Sequence, residues 1–246
     1  MKSEVRLDQL LLSRNLVSSR SRAEALIKDA GVWINGKLIK KPGRKFPEDI
    51  EITLAEEPMP YVSRGAVKLL GALEEWPMDF HGKTVLDVGA STGGFTELVL
   101  QRGAKQVFAV DTGSNQLHSS LQADKRVINL EKTDIRECSG KEITTPADVA
   151  VVDVSFISLE KILPVLPHLL GPSATLYVLF KPQFEVGKSH VGKRGIVKDE
   201  ARVKRVKQSI RNLATELGYV WRGEIPAPIT GSDGNQEYLI HLTLDK

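Results

Sequence analysis

From residue 84 onward, short apolar runs alternate with segments of helical periodicity. Runs of five to eight mostly apolar residues are typical of buried strands, and the helical segments between most of them favour parallel pairing. The pattern therefore predicts an α/β fold, in which a mainly parallel sheet carries helices on both faces. The last two strands are joined by one loop and are predicted to pair antiparallel. The predicted strands are 84–88, 106–110, 126–130, 148–152, 174–180, 218–225 and 237–244.

The first 31 residues have the pattern of two helices. One helix is predicted over 5–15, where apolar residues recur at near-helical spacing. A second helix is predicted over 19–29, with Ser18 or Ser19 as its N-cap and Gly31 as its C-cap.

A β-hairpin is predicted next, because apolar residues alternate around Asn35-Gly36. This dipeptide favours a type I′ turn, in which both central residues have positive φ. A short strand is predicted at 49–54. Two helices, a hairpin and this strand make a small α+β domain over 1–56, which is close to the lower size limit for an independent core.

Residues 56–60, EEPMP, separate this small domain from the rest of the chain. The two prolines disfavour a helix and remove backbone donors, so a linker is predicted over 57–62 and a second domain over 63–246. The second domain opens with a helical pattern, for which Ser63 is the predicted N-cap. Lys68 falls on this helix, and the periodicity assigns it no role.

Composition limits the class of protein. Apolar residues make up 41% and charged residues 26% of the 246 residues, which is ordinary for a globular protein. Cys138 is the one cysteine, which excludes an intramolecular disulfide, argues against a zinc cluster and favours a reducing compartment. The N-terminus has no apolar signal segment, and no apolar run approaches the roughly 20 residues of a membrane span. A soluble, cytoplasmic protein is therefore expected.

Basic residues are concentrated in two segments. Residues 1–46 and 181–211 each carry a net charge of +7, which leaves −11 for the rest of a chain whose total is +3. This distribution indicates a polyanionic partner, although each segment alone is also compatible with a solvated, lysine-rich face. Residues 185–199 are punctuated by three glycines and are expected to form a mobile loop that closes over RNA. Its candidate phosphate contacts are Lys188, Lys193 and Arg194.

The stretch 84–95, TVLDVGASTGGF, combines a strand, a turn of small residues and the start of a helix. Glycines let the backbone approach a ligand and the helix N-terminus offers N–H groups, a geometry typical of nucleotide cofactor sites. Ser91 stands where G-x-G-x-x-G would need its second glycine. Asp87 suits a cationic or zwitterionic ligand, which favours S-adenosylmethionine over NAD; a purely structural turn is the alternative. The candidate contacts are Asp87, Gly89, Ala90, Ser91, Thr92, Gly93, Gly94 and Phe95.

Charged residues stand at the ends of several predicted strands, the edge where ligands bind in such sheets. Asp111 closes the second strand and can accept both ribose hydroxyls of a nucleoside. Asp134 follows the third strand and either binds adenine or caps a turn. Asp153 and Lys181 end the fourth and fifth strands, and Glu237 opens the last. Solvation alone does not explain a charged residue at three such ends, so these three are candidates for the chemistry.

The N-terminal pattern resembles the S4 RNA-binding domain over residues 5–53. The matching residues are Arg6-Leu7-Asp8, Ser21-Arg22 and the hairpin at 32–36. The resemblance implies that RNA is held by backbone charge and shape more than by base edges. The candidate RNA-binding residues are Arg6, Arg14, Arg20, Arg22, Lys28, Lys37, Lys40, Lys41, Arg44 and Lys45.

Five segments of the second domain resemble, in order, the FtsJ-like ribose 2′-O-methyltransferases: SRGAVKL, LDVGASTGGF, VVDVSFIS, LFKPQFE and GNQEYLIHL. Together with the S4 domain, the chain is similar to the TlyA family, described both as haemolysins and as rRNA methyltransferases. The resemblance implies a Rossmann-like methyltransferase sheet, S-adenosylmethionine as cofactor and a Lys-Asp-Lys-Glu tetrad. Ser91-Thr92 departs from the residues common in the family's cofactor loop. The tetrad positions are Lys68, Asp153, Lys181 and Glu237, of which Lys68 is implicated by the resemblance alone.

The resemblance also implies a reaction, which is 2′-O-methylation of cytidine in ribosomal RNA without a metal or a membrane. The resemblance implies that shorter members act on the large subunit only. Because the chain ends directly after its last predicted strand, the large subunit is the expected target. A monomer is also expected. Methyl transfer is an in-line displacement, in which Lys181 is expected to act as the base or to orient the hydroxyl. The alternatives are a membrane-active haemolysin, an S4 RNA-binding module with an inactive methyltransferase domain, and a small-molecule methyltransferase.

Overall fold

A computed structural model describes the chain over residues 4–17, 19–55 and 61–245. The chain divides into two units, Met1–Val62 and Ser63–Lys246. The alternative N-cap Ser18 and the predicted linker residues 56–60 lie outside the described residues, so both remain predictions.

The first unit contains two helices and short antiparallel strands. Its elements are β1 (Glu4–Arg6), α1 (Leu7–Ser13), α2 (Arg20–Asp29), β2 (Val32–Ile34), β3 (Lys37–Ile39), β4 (Lys45–Pro47) and β5 (Thr53–Leu54). Strand β1 pairs with β4, and β2 lies between β3 and β5. The helices bury Leu7, Leu11, Ala23 and Ile27 in one core with Val32 of the sheet.

Two boundary predictions in this unit are wrong. Val5 and Arg6 belong to β1, so the first helix begins at Leu7. No local pattern predicts β4, because its pairing partner β1 is distant in sequence. The last strand covers only Thr53–Leu54, which is shorter than the predicted 49–54.

The turn and cap predictions of this unit are confirmed. The Ser19 hydroxyl accepts a hydrogen bond from the Arg22 N–H at 3.2 Å, as an N-cap does. Gly31 ends the second helix region with a φ of +91°. Asn35 and Gly36 have φ values of +48° and +71°, as a type I′ turn requires.

The second unit is built on one seven-stranded sheet. Its elements are α3 (Gly65–Glu75), β6 (Thr84–Val88), α4 (Gly94–Gln101), β7 (Gln106–Val110), α5 (Ser119–Gln122), β8 (Val127–Leu130), β9 (Ala147–Val152), β10 (Leu170–Phe180), α6 (Pro182–Glu185), α7 (Glu200–Glu216), β11 (Tyr219–Pro226) and β12 (Tyr238–Leu244). The strand order is β11-β12-β10-β9-β6-β7-β8. Strands β6 to β10 are parallel, and β12 pairs antiparallel with both β10 and β11. The predicted α/β sheet, with its antiparallel C-terminal pair, is therefore confirmed.

Burial explains why the strands stand out in the sequence. Every residue of β6 is buried, and α7 packs on the sheet face that includes Leu86, Phe108 and Val178. Strands covered on both faces need apolar residues at nearly every position. One connection differs from the simplest pattern, since short 3-10 turns, with no α-helix, join β9 to β10. The N-cap prediction of Ser63 is wrong: the N-cap of α3 is Arg64, and the Ser63 hydroxyl accepts from the Gly65 N–H at 3.3 Å.

The C-terminal ends of the parallel strands lie at one edge of the sheet, where such folds bind ligands. Within the described residues, every helix is too short or too polar to cross a membrane.

Candidate active site

Two neighbouring cavities open at this edge of the second unit, with volumes of about 480 and 900 Å³. We call the smaller one the first cavity and the larger one the second cavity. The first is lined by Lys68, Asp153, Lys181 and Glu237, the four predicted tetrad residues. The second is lined by Asp111, Asp134 and several apolar side chains. Both share Gly89, Ser91, Asp153, Ser155, Phe156 and Phe184.

The four charged residues of the first cavity form two ion pairs. Lys68 Nζ lies 2.5 Å from Glu237 Oε2, and Lys181 Nζ lies 2.6 Å from Asp153 Oδ1. The Glu237 side chain is only 2% exposed. Two lysines and two carboxylates sum to zero charge, which lowers the free-energy cost of burying the cluster.

The sheet brings three of these residues together. Asp153 follows β9, and its N–H donates to the Val88 carbonyl at 2.9 Å. Lys181 follows β10, and Glu237 precedes β12. Because Phe180 pairs with Tyr238 across these antiparallel strands, Lys181 and Glu237 come next to each other at the end of the ladder. Lys68 joins them from α3.

Ser155 is a further member of this cluster that the sequence analysis does not identify. The Lys181 ammonium donates a hydrogen bond to the Ser155 hydroxyl at 2.9 Å. Together with Asp153, this contact fixes the direction of the ammonium group. Serine at a loop position is too common for the sequence to distinguish it.

The structure places Asp87 beneath the glycine turn and outside the walls of both cavities. Its strand is buried on both faces, and Thr96 donates a hydrogen bond from its hydroxyl to Asp87 Oδ2 at 2.6 Å. Burial, with a smaller effect of the Asp153 charge, raises the pKa of Asp87 to about 7. Among the described residues, the buried Oδ1 atom has no hydrogen-bond partner.

The glycines of the turn are required by packing of the chain against itself. A Cβ atom on Gly89, which has a φ of +86°, would lie 2.4 Å from the Asp153 carbonyl oxygen. A Cβ atom on Gly93, at φ +96°, would lie 2.2 Å from the Leu121 side chain. Of the predicted cofactor contacts in the turn, Gly93 lines neither cavity. The first cavity is lined by Gly89, Ala90, Ser91, Thr92, Gly94 and Phe95.

Asp111 links the turn to the second cavity. Its carboxylate accepts hydrogen bonds from the Ser91 N–H at 2.8 Å and the Gly113 N–H at 2.7 Å. Ser91 has a φ of +47° in this arrangement. Asp134 lines the same cavity, caps the next 3-10 turn and pairs with Arg136, whose hydrogen bonds lower the pKa of Asp134. Capping is thus observed, and the adenine role stays a prediction.

Phe156 stands at the rim of both cavities and is 91% exposed. Its φ of +64° lies in the left-handed region, which is rare for an aromatic residue. Its ring centroid is 5.0 Å from that of Phe184. Exposed, strained residues cluster at functional sites. The sequence analysis assigns Phe156 no role of its own.

Glu185 connects the two segments that carry the ion pair of Lys181 and Asp153. Its carboxylate accepts from the Ser158 hydroxyl at 2.7 Å and from the Leu159 N–H at 2.9 Å. Burial raises the pKa of Glu185 to about 7. The segment after β9 is thereby held against α6, which begins directly after Lys181.

Residues 185–199, which we call the basic loop, are held in place at their C-terminal part, although the glycines of the loop predict mobility throughout. Asn235, which is 3% exposed, accepts from the Val197 N–H at 2.9 Å and donates to the Gly195 carbonyl at 2.8 Å. The buried Asn235 lies two residues before Glu237, so these hydrogen bonds connect the loop to the segment that leads into β12. The predicted phosphate contacts Lys188, Lys193 and Arg194 are all exposed.

Some predicted RNA-binding residues of the first unit also have structural contacts. Arg6 and Arg20 both bond to the buried carboxylate of Asp8, and the Arg6 bonds in particular hold the pKa of Asp8 at about 2. Arg14 donates to the Glu48 carbonyl. Arg14 and Arg22 are half-buried, whereas Lys28, Lys37, Lys40, Lys41, Arg44 and Lys45 are exposed.

The described residues contain no group of three His, Cys, Asp or Glu side chains that could hold a metal ion. The absence of a metal in the reaction stays a prediction.

Comparisons with known proteins find relatives along almost the whole chain. The FtsJ-like methyltransferase model matches residues 61–244, and the S4 domain model matches residues 5–49. The 16S/23S rRNA (cytidine-2′-O)-methyltransferase TlyA of Mycobacterium tuberculosis is 41% identical over 98% of this chain and 91% of its own. The 23S rRNA (cytidine-2′-O)-methyltransferase TlyA of Campylobacter jejuni is 35% identical over 94% of this chain and 96% of its own. A solved structure from Streptococcus thermophilus, described provisionally as a hemolysin, has a TM-score of 0.78 and 36% identity. The match covers 100% of this chain and 90% of that one.

Proposed function

Since this chain belongs to the TlyA family of FtsJ-like methyltransferases, we propose that it methylates the 2′-oxygen of cytidine in ribosomal RNA. The family, the methyltransferase fold and S-adenosylmethionine as cofactor agree with the sequence analysis. The observation that carries the proposal is the pair of ion pairs, Lys68 with Glu237 and Lys181 with Asp153, facing one cavity.

The second cavity has the chemistry that S-adenosylmethionine needs. Asp111 offers a carboxylate for ribose hydroxyls, and Ile135, Ile157 and Ile162 offer apolar surface for adenine. When bound, the cofactor supplies a methyl group on a positively charged sulfur.

The protein's own residues position the ribose hydroxyl. We assign Lys181 as the group that contacts the 2′-oxygen, because Asp153 and Ser155 fix its ammonium and it faces the first cavity. Orientation of this kind supplies much of the rate of an in-line displacement. Lys68 and Glu237 line the same cavity as a second ion pair and keep the site neutral.

Phe156 supports a nucleotide substrate over a small molecule. RNA enzymes and RNA-binding proteins hold unstacked bases on aromatic side chains. An aromatic ring that is 91% exposed at the rim of the cavities is suited to stacking against the base of the target nucleotide. The S4 unit, with its exposed lysines, would hold flanking RNA.

The finer parts of the proposal concern the target. The named relatives divide between a protein that acts on 16S and 23S rRNA and one that acts on 23S rRNA. We propose large-subunit rRNA as the target, with the chain acting as a monomer, without a metal, in the cytoplasm. The four tetrad residues and the cofactor contacts named above belong to this proposal.

The test is transfer of labelled methyl groups to separated 30S and 50S subunits from an unmodified strain. Lys181→Ala is compared with Lys105→Ala, which removes an exposed lysine far from the cavities in sequence and sheet position. Label on 50S alone, lost in Lys181→Ala and kept in Lys105→Ala, would support the proposal. Label on both subunits would overturn the subunit preference. No label, with cofactor still bound, would favour an S4 RNA-binding module with an inactive methyltransferase domain.

A further inference from the structure

A third cavity, of about 700 Å³, opens beside the first one. It is lined by Pro182, Gln236 and Tyr238, whereas their chain neighbours Lys181 and Glu237 line the first cavity. Adjacent residues of an extended chain point to opposite sides, so the first and third cavities lie on either side of these strand ends.

One wall of the third cavity is the basic helix α7. Lys204, Lys207 and Arg211 line it, and their spacing places them on one face of the helix. Lys207 already has partners, since its Nζ lies 2.6 Å from Glu224 Oε1 and 3.9 Å from the Tyr238 ring centroid. Lys204 and Arg211 are exposed and stand two turns apart, about 10.5 Å along the helix.

The lining distinguishes between classes of partner. Helix α7 carries five Lys or Arg residues and two Glu. The polar lining also includes the amides of Gln208, Asn235 and Gln236 and two carboxylates, Glu200 and Glu224, of which Glu224 is paired with Lys207. The large exposed apolar side chains of the described chain are Leu12, Trp33, Leu38 and Phe156, and none of them lines this cavity. Protein interfaces need such anchors, whereas a phosphate backbone needs cations and polar donors.

We infer that the third cavity binds the sugar–phosphate backbone of the RNA strand that flanks the target nucleotide, with Lys204 and Arg211 contacting separate phosphates. The inference rests on the proposed function for the class of substrate. It assigns α7 a contact with the RNA backbone in addition to the contacts proposed for the S4 unit and for the basic loop.

The test is the salt dependence of binding to naked large-subunit rRNA, measured without methyl transfer. Lys204→Gln/Arg211→Gln is compared with Arg102→Gln/Lys105→Gln, which removes the same charge from exposed residues that precede β7 at the opposite edge of the sheet. Each lost phosphate contact lowers the slope of log K against log salt by about 0.7 to 0.9, so the first variant should lose about 1.5. The control should keep the wild-type slope, and both variants should bind cofactor normally.

Arg211 also lies over the Trp221 ring at 5.7 Å, so its loss could disturb packing. The single variant Arg211→Lys keeps the charge, so it should keep most of the wild-type slope. A wild-type slope in the double variant would overturn the inference, and so would weaker binding at an unchanged slope. An effect on assembled 50S particles but not on naked rRNA would assign the cavity to a ribosomal protein instead. Failure of the proposed function is separate, since it would appear as a wild-type protein that transfers no methyl group.

Discussion

At the scale of single residues, the site depends on charges that balance in pairs. Glu237 is almost fully buried and has Lys68 as its ion-pair partner at 2.5 Å. Removing one member of a buried pair leaves the other charge without compensation, which costs far more than the pair contributes. Under the proposed function, the stability of the second unit and the chemistry of the first cavity are therefore linked through these residues.

Lys68→Ala should lower both stability and activity. We expect a loss of about 3 kcal/mol in the free energy of unfolding, because Glu237 would stay buried without its partner. Urea unfolding measures this loss. The double variant Lys68→Met/Glu237→Gln removes both charges and should recover most of the stability, while methyl transfer should stay as low as in Lys68→Ala. Equal stability of Lys68→Ala and the wild type would contradict the role assigned to this pair.

The buried Asp87 should make stability fall as pH rises. Its pKa is raised to about 7 in the folded chain, whereas aspartate in an unfolded chain titrates near about 3.9. Between these values the native state holds a proton that the unfolded state has lost, so the stabilisation present at low pH disappears by about pH 7. Glu185 contributes in the same direction, since burial raises its pKa to about 7.

Thermal unfolding at pH 5 and pH 8 without cofactor measures this effect. Asp87→Asn cannot ionise, so it should lose less Tm between the two pH values than the wild type does. Asp245→Asn, an exposed aspartate in the same unit, should follow the wild type. An identical pH profile for Asp87→Asn and the wild type would show that Asp87 does not titrate in this range.

Candidate site residues could be predicted from the sequence alone only where a charged residue interrupts an apolar run. Asp153, Lys181 and Glu237 stand out because each one is next to a buried strand. Lys68 has no such contrast on its helix, and the family resemblance alone identifies it. Ser155 and Phe156 escape prediction, because their roles depend on contacts and exposure created by the fold.

At the scale of elements, the turn after β6 is shaped by its neighbour β9. The backbone of Gly89 approaches the Asp153 carbonyl so closely that a Cβ atom would lie 2.4 Å from the oxygen. The turn that lines the first cavity and the strand end that carries Asp153 are therefore in direct contact. A change at Gly89 acts on both cavities at once.

Gly89→Ala should be more damaging than Gly82→Ala. Both glycines have positive φ, but a Cβ atom on Gly82 meets nothing within 4 Å. Gly82→Ala should cost about 1 kcal/mol from backbone conformation alone. Gly89→Ala should cost about 2 kcal/mol more from the clash and should also weaken S-adenosylmethionine binding. Chemical unfolding and calorimetric cofactor titration measure the two effects, and equal losses would contradict the packing argument.

Helices, strands and turns could be predicted wherever neighbouring residues in the sequence determine them. The seven strands of the second unit are visible because each carries apolar residues that lie in the core or pack against it, and the type I′ turn is fixed by Asn35-Gly36. Strand β4 has no such local cause, since its pairing depends on β1 at the other end of the small unit. The anchoring of the basic loop by Asn235 is likewise a contact between distant segments.

At the scale of the whole molecule, each unit has its own task in the proposed reaction. Lys37→Gln/Lys41→Gln removes two exposed cations of the first unit. We expect KM for rRNA to rise about tenfold at moderate salt with kcat unchanged, because uniform binding is lost and the first cavity is intact. Lys125→Gln/Lys141→Gln, an exposed pair in the second unit, should leave KM unchanged. A fall in kcat in the first variant would contradict this division of tasks.

Phe156 has a consequence for attempts to engineer this enzyme. A left-handed, 91% exposed phenylalanine contributes little to folding and costs about 1 kcal/mol through its backbone conformation. Gly or Asn would be preferred there by any screen that scores heat resistance alone. Such a screen would enrich proteins that survive heating and no longer retain their substrate, so stabilised libraries of this enzyme have to be sorted on turnover as well.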